Sequence, residues 1–209
     1  MEALKVLEVP DIFSIQLVLD ASRWDHIYAA VAGNIHSSFV KAVKKATEVF
    51  VVEIQEKADI VAAIQQFPLD INLYQSQKSV ENGIRALKHG GVLLLISRCW
   101  DGLGPKNYLY LLPLEGSPEA VLDRIKEGTY RLGDHKAAKY AEITRWASMW
   151  AICGVPDAIL TKTFMKPYHD IQHAFDDAIR EKGEDARILI LMNGAVTVPT
   201  LRAYKEKTM

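Results

Sequence analysis

The stretch Ala58-Asp59-Ile60-Val61-Ala62-Ala63-Ile64, followed by Gln65-Gln66-Phe67-Pro68-Leu69-Asp70-Ile71-Asn72-Leu73-Tyr74-Gln75-Ser76-Gln77-Lys78, decides the fold class. Residues 58–64 are a near-continuous apolar run of strand length, the pattern of a strand covered on both faces. The polar segment after it opens a helix, with Asp70 or Asn72 available as N-cap. Comparable Val/Ile/Leu-rich runs stand at 49–54, 91–97, 155–160 and 187–192, and helical patterns separate most of them. Strands of this kind alternating with helices predict an α/β fold. The expected architecture is a mainly parallel sheet with helices on both faces, a Rossmann-like βαβ arrangement.

The first part of the chain has a different rhythm. Residues 12–20 alternate as a strand does, 26–32 form a second short apolar run, and Gly33-Asn34 supplies a turn. From 37 to 48, Phe39, Val40, Val43 and Ala46 recur at helical spacing, with Lys41, Lys44 and Lys45 as a small solvated basic patch. Two regions are expected: a strand-strand-helix region over 1–55 and a C-terminal α/β domain over 56–209. Residues 2–8 read as the end of a helix stopped before Pro10, without a capping residue ahead of it. The first region is therefore expected to continue from an N-terminal half that this chain lacks.

Composition narrows the function classes. The 209 residues carry 25 Lys+Arg against 26 Asp+Glu, a formal net charge of −1, and 49% apolar residues. So balanced a chain has no general field for nucleic acid or acidic membranes, and neither is expected as a partner. Stretches free of charged residues fall short of the roughly 18–20 apolar residues that span a bilayer. The start, Met1-Glu2-Ala3-Leu4-Lys5, lacks the basic and apolar segments of a secretory signal. Cys99 and Cys153 form one candidate pair, but two thiols are sparse for a disulfide framework and suit a reduced, cytoplasmic setting.

In a parallel sheet all strand ends face one edge, where ligands bind. Here that edge collects 65–78, 98–106, 161–168 and 193–199. On a wheel of about 100° per residue, Val80, Ile84 and Leu87 fall within about 40° of Leu73, and the four define a buried face. Tyr74, Gln75 and Lys78 share the opposite side of the first turn and a half. A helix N-terminus with free N–H groups, a lysine charge and the hydrogen-bonding groups of Gln and Tyr make a carboxylate or phosphate site. Equally, such a face is simply solvated in many helices.

The run Pro68 to Lys78 resembles the signature P-L-D-x-N-x-Y-Q-x-x-K of the second half of the nickel-dependent lactate racemase family. Gly90-Gly91 leading into a strand, the loop Cys99-Trp100-Asp101-Gly102-Leu103-Gly104, and Gly133, His135, Lys136 and Ala137 extend the likeness, as does the closing segment 188–199. The resemblance covers about 60–209. It implies the C-terminal domain of a racemase or epimerase of 2-hydroxy acids that works by hydride transfer to a nickel pincer nucleotide. That cofactor would be tethered to a lysine of the N-terminal half, which also carries the catalytic histidines and is the implied partner. On the present chain the resemblance assigns Lys78 as a clamp for the substrate carboxylate and Gln75 as an orienting group. Tyr74, Arg98, Asp101 and His135 are the further candidate contacts to substrate or cofactor. The sequence departs from the family where Gln65-Gln66 replace a glycine pair ahead of Pro68, and where no aromatic is evident near His135. A binding module for a small anion or nucleotide is the alternative reading.

Other constellations read more blandly. His169 and His173 stand at i,i+4 on an expected helix over 167–181, with no Glu between them and no third ligand, and no metal site is assigned. Cys99 ends a strand with no group evident to acidify it and reads as a small buried residue. Arg98, Asp101 and Gly102-x-Gly104 form a tight polar loop at the sheet edge. His135 and Lys136 open a long helix that is expected to run through Trp146 and Trp150, packed against a core.

Overall fold

A computed structural model describes residues 12–23, 25–105, 116–128, 131 and 133–202. The expected helix at 2–8 lies outside them. The chain divides into two compact units, one up to Val51 and one from Val52 onward.

In the first unit β1 (Phe13–Leu19) pairs antiparallel with β2 (Ile27–Asn34), and α1 (Ile35–Phe50) follows directly. Asn34 caps α1 by accepting from the backbone N–H groups of His36 and Ser37, so the helix starts two residues before the expected 37. Ser14 Oγ meets Ser38 Oγ at 2.6 Å, tying β1 to the helix.

The second unit contains a five-stranded parallel sheet, confirming the α/β reading. Its members are β4 (Ala58–Ile64), β5 (Leu87–Ile96), β6 (Ser148–Ile152), β7 (Met165–Pro167) and β8 (Ile188–Leu191). Their spatial order is β7-β6-β5-β4-β8, and a separate ribbon joins β3 (Val51–Ile54) to β9 (Val198–Leu201). The helices are α2 (Leu73–Gly83), α3 (Pro118–Glu127), α4 (Asp134–Thr144), α5 (Asp157–Lys162) and α6 (Ile171–Lys182).

Strand alternation shares the core between two faces. Val61, Ala63, Leu93, Leu95, Met149 and Ala151 join Leu73 and Val80 of α2 and Tyr140 and Ile143 of α4. Ile60, Ala62, Val92, Leu94 and Trp150 meet Ala174 and Ala178 of α6 on the other side. Because both faces are covered, these strands lack alternation in hydrophobicity even though their side chains alternate in direction. The chain steps from β4 outward to β7 and then returns to the far side of β4 with β8, which leaves β5 at the centre of the sheet and β4 between β5 and β8.

Three elements differ from expectation. Residues 155–160 are not a strand: Pro156 (φ −57°) leads into α5, while the strand is Ser148–Ile152. The helix expected to run from His135 past Trp150 therefore ends at Thr144. The run from Trp146 to Cys153 is apolar almost throughout and largely buried, so its pattern carries no period that separates helix from strand. The helix expected over 167–181 begins only at Ile171, where Asp170 caps it by accepting from His173 N at 2.7 Å. His169 thus precedes the helix, and the i,i+4 pairing with His173 does not exist.

Leu93 is 1% exposed in the main core. Leu93→Ala is expected to cost about 2–5 kcal/mol through lost burial and a residual cavity. Urea unfolding monitored by circular dichroism measures this as a lower midpoint at unchanged slope.

Candidate functional site

The segment leaving β4 turns through a short 3₁₀ helix at Leu69–Ile71 before α2 begins. Asn72 caps α2: its Oδ1 accepts from Gln75 N at 3.1 Å, and its Nδ2 donates to Asp101 Oδ2 at 3.3 Å. The loop after β5 folds directly onto this turn. Cys99 N donates to Asp70 O and Asp101 N to Ile71 O, both at 2.8 Å. In return Leu73 N donates to Gly102 O at 2.9 Å and Tyr74 N to Leu103 O at 3.1 Å.

These bonds change the chemistry expected of the helix end. Its leading N–H groups are already satisfied by Gly102, Leu103 and Asn72, so they are not donors for an anion. Recognition at this face rests on side chains.

Tyr74, Gln75 and Lys78 lie on one side of α2, Lys78 exposed and the other two half-buried. Gln75 Oε1 is buried and has no hydrogen-bond partner. The start of α4 completes the surface. Gln77 Nε2 donates to Lys136 O at 3.0 Å, and Lys136 Nζ sits 4.8 Å from the centre of the Tyr74 ring, a cation–π contact. Burial pushes the Lys136 ammonium below its ordinary pKa; Glu81 acts against this, and the positive charge of Lys78 adds to it. Two lysine charges therefore act on each other across this surface, with His135 exposed in the first turn of α4.

The remaining candidates fall elsewhere. Asp101 supports the cap through Asn72, and Arg98 lines a cavity over the strand ends, where Asp70 stands beside it. Asp70 was legible in the sequence only as a cap, and nothing there signalled that its carboxyl would be buried.

Cys99 also differs from its sequence reading. It is buried as expected and adopts a left-handed φ of 46°, but its thiol is acidified to about 7. The main cause is a hydrogen bond from the Cys153 thiol, against which burial acts; Ser97 and Ser76 add further hydrogen bonds. The Cys153 thiol is pushed up correspondingly by the same contact. Both cysteines are free thiols. Ser97 and Ser76 are themselves linked at 2.8 Å, which fixes the polar pocket around the sulfur.

Among the described residues no group of three His, Cys, Asp or Glu is placed to hold a metal ion. His169 Nε2 lies 3.0 Å from Asp157, and His173 Nε2 lies 3.6 Å from Asp177. No helix of the described residues is long and apolar enough to cross a membrane.

A parallel sheet covered by helices on both faces defines a domain of the α/β class. Residues 52–198 match the lactate racemase C-terminal domain, and the chain belongs to that family. A lactate racemase of Thermoanaerobacterium thermosaccharolyticum is 28% identical over 113 residues, which are 54% of this chain and 26% of that protein. The solved lactate racemase apoprotein from the same organism superposes with a TM-score of 0.82 at 24% identity, covering 90% of this chain and 46% of its own. A Thermotoga maritima protein of known structure follows at TM-score 0.60 and 12% identity, with 96% and 52% covered. The chain thus spans about half the length of these solved structures.

The thiol pair yields a direct test. Cys153→Ala removes the donor that stabilises the Cys99 thiolate, so the Cys99 pKa is expected to rise from about 7 toward the ordinary thiol range. Thiolate absorbance near 240 nm followed against pH measures the shift.

Proposed function

We propose that this chain is the substrate-clamping side of a racemase or epimerase acting on 2-hydroxy acids. Lys78 supplies the charge that holds the substrate carboxylate, reinforced by Lys136. Gln75 orients the substrate: its Oε1 accepts a hydrogen bond from the 2-hydroxyl. Tyr74 forms the wall on which Lys136 rests, and Arg98, Asp101 and His135 act around this core rather than within it.

The observation that carries the reading is the buried, unpartnered Oε1 of Gln75 on the same helix face as Lys78. A buried acceptor without a donor is costly in a folded protein and is expected where a ligand supplies the missing bond. The hydroxyl of a hydroxy acid is such a donor, and its carboxylate matches the neighbouring lysines. Both groups belong to one small molecule, so a single helix face fixes its orientation.

The positive charges of Lys78 and Lys136 suit the anionic groups of the cofactor that the family resemblance implies, and the same resemblance assigns nickel ligation to the other half of such an enzyme. The nickel pincer nucleotide, when bound, supplies the hydride acceptor. The present side chains hold and orient the substrate and exclude water from that side of the cleft. A separate N-terminal half is accordingly part of the proposal, consistent with the chain spanning about half of its solved relatives.

In the enzyme assembled with that half and its cofactor, Lys78→Ala is expected to lower kcat/KM by about 100-fold or more while leaving the melting temperature unchanged. Racemisation followed by chiral chromatography decides it, and near-normal turnover of the folded variant would sink the assignment. These 209 residues alone are expected to bind no stoichiometric nickel, as measured by elemental analysis after dialysis.

A further inference from the structure

A cavity of about 440 Å³ opens over the strand ends of the parallel sheet, and neither Gln75 nor Lys78 lines it. Its floor is apolar: Ile64, Ile96 and Ile152 are the last residues of β4, β5 and β6, and register sets them side by side. Its polar wall includes Gln65, Ser97, Tyr168 and His169, and its carboxylate and guanidinium are those of Asp70 and Arg98.

Neither polar group is satisfied by the protein. The Asp70 side chain is only 3% exposed, and its Oδ1 has no hydrogen-bond partner. Its Oδ2 lies 3.9 Å from Arg98 Nε, beyond hydrogen-bond reach. Arg98 is 73% exposed, and this is its one ion pair among the described residues. A buried carboxylate oxygen therefore lacks a donor while an adjacent guanidinium retains N–H groups for an acceptor.

A ligand that completes this wall carries a donor and an anion on neighbouring atoms, with an apolar body for the isoleucine floor. A simple carboxylate satisfies Arg98 but places its charge against Asp70. A hydroxy acid adds a neutral donor but no positive charge, so Asp70 keeps only the guanidinium 3.9 Å away, now shared with the ligand carboxylate. An ammonium group next to a carboxylate matches both charges and both hydrogen-bonding needs. We propose that the strand-end cavity is a binding site for an α-amino acid with an apolar side chain, its ammonium on the Asp70 carboxylate and its carboxylate on Arg98. The volume lies within the range of small-molecule sites, and the crevice at the carboxyl ends of parallel strands is where such folds take ligands. The inference stands on residues other than those of the hydroxy-acid clamp, and it adds a second ligand class to the protein.

The test is isothermal titration calorimetry of the protein with L-leucine, and with the matched 2-hydroxy acid, 2-hydroxyisocaproate. Leucine is expected to bind saturably, at least tenfold tighter than the hydroxy acid. Asp70→Asn, which keeps side-chain shape, and Arg98→Gln are each expected to weaken leucine at least tenfold. Lys78→Ala is expected to leave leucine binding unchanged, which separates this site from the clamp whether or not the clamp assignment holds. Thermal melts of each variant establish that it is folded. Absence of leucine binding to the folded protein, equal binding of the hydroxy acid, or full retention in Asp70→Asn overturns the proposal.

Discussion

Four backbone hydrogen bonds between the loop after β5 and the turn before α2 hold the functional edge of this domain together. Two run from Cys99 and Asp101 to the carbonyls of Asp70 and Ile71, and two return from Leu73 and Tyr74 to Gly102 and Leu103. A helix end and a strand end each leave unsatisfied groups, and here they satisfy one another. The exchange fixes where α2 starts, and so which side Tyr74, Gln75 and Lys78 present. It also seats Cys99 against Ser76 and Ser97 and sets Asp70 beside Arg98.

Electrostatics at this edge follow from the same exchange. With the helix N–H groups consumed, positive potential comes from Lys78 and Lys136, in a chain whose formal net charge is −1. Polarity is thus applied locally, by side chains rather than by the helix end. The contact with Tyr74 and the bond from Gln77 hold Lys136 at a site where burial alone disfavours its charge.

Much of this was legible in the sequence. The apolar runs at 58–64 and 91–97, a helix cap at Asp70 or Asn72 and the helix after it follow from length, composition and periodicity, and they place α2 at the strand-end edge; the structure selects Asn72 as the cap. The strand at 148–152 was not legible, because an apolar run buried on both faces carries neither helical nor strand period. The pairing of His169 with His173 failed for a related reason: a helix boundary set by Asp170 lies between them, and spacing alone does not locate a cap. The acidified Cys99, the buried Asp70 and the closed helix end were illegible because each depends on residues about thirty to fifty-five positions apart in the chain. Cys153, Arg98 and the 99–103 loop come together only once the sheet has formed.

The closure of that helix end also binds positions 72 and 104 together. Gly104 has φ +93°, and a Cβ on it would lie 2.9 Å from Asn72 Cγ and 3.0 Å from Tyr74 Cβ. A side chain at 104 would have to displace the residue that starts the helix, in a backbone conformation that L-residues rarely adopt. Enlarging residue 104 therefore calls for a compensating change at 72, so the two positions behave as a single steric unit whose spare room is already spent.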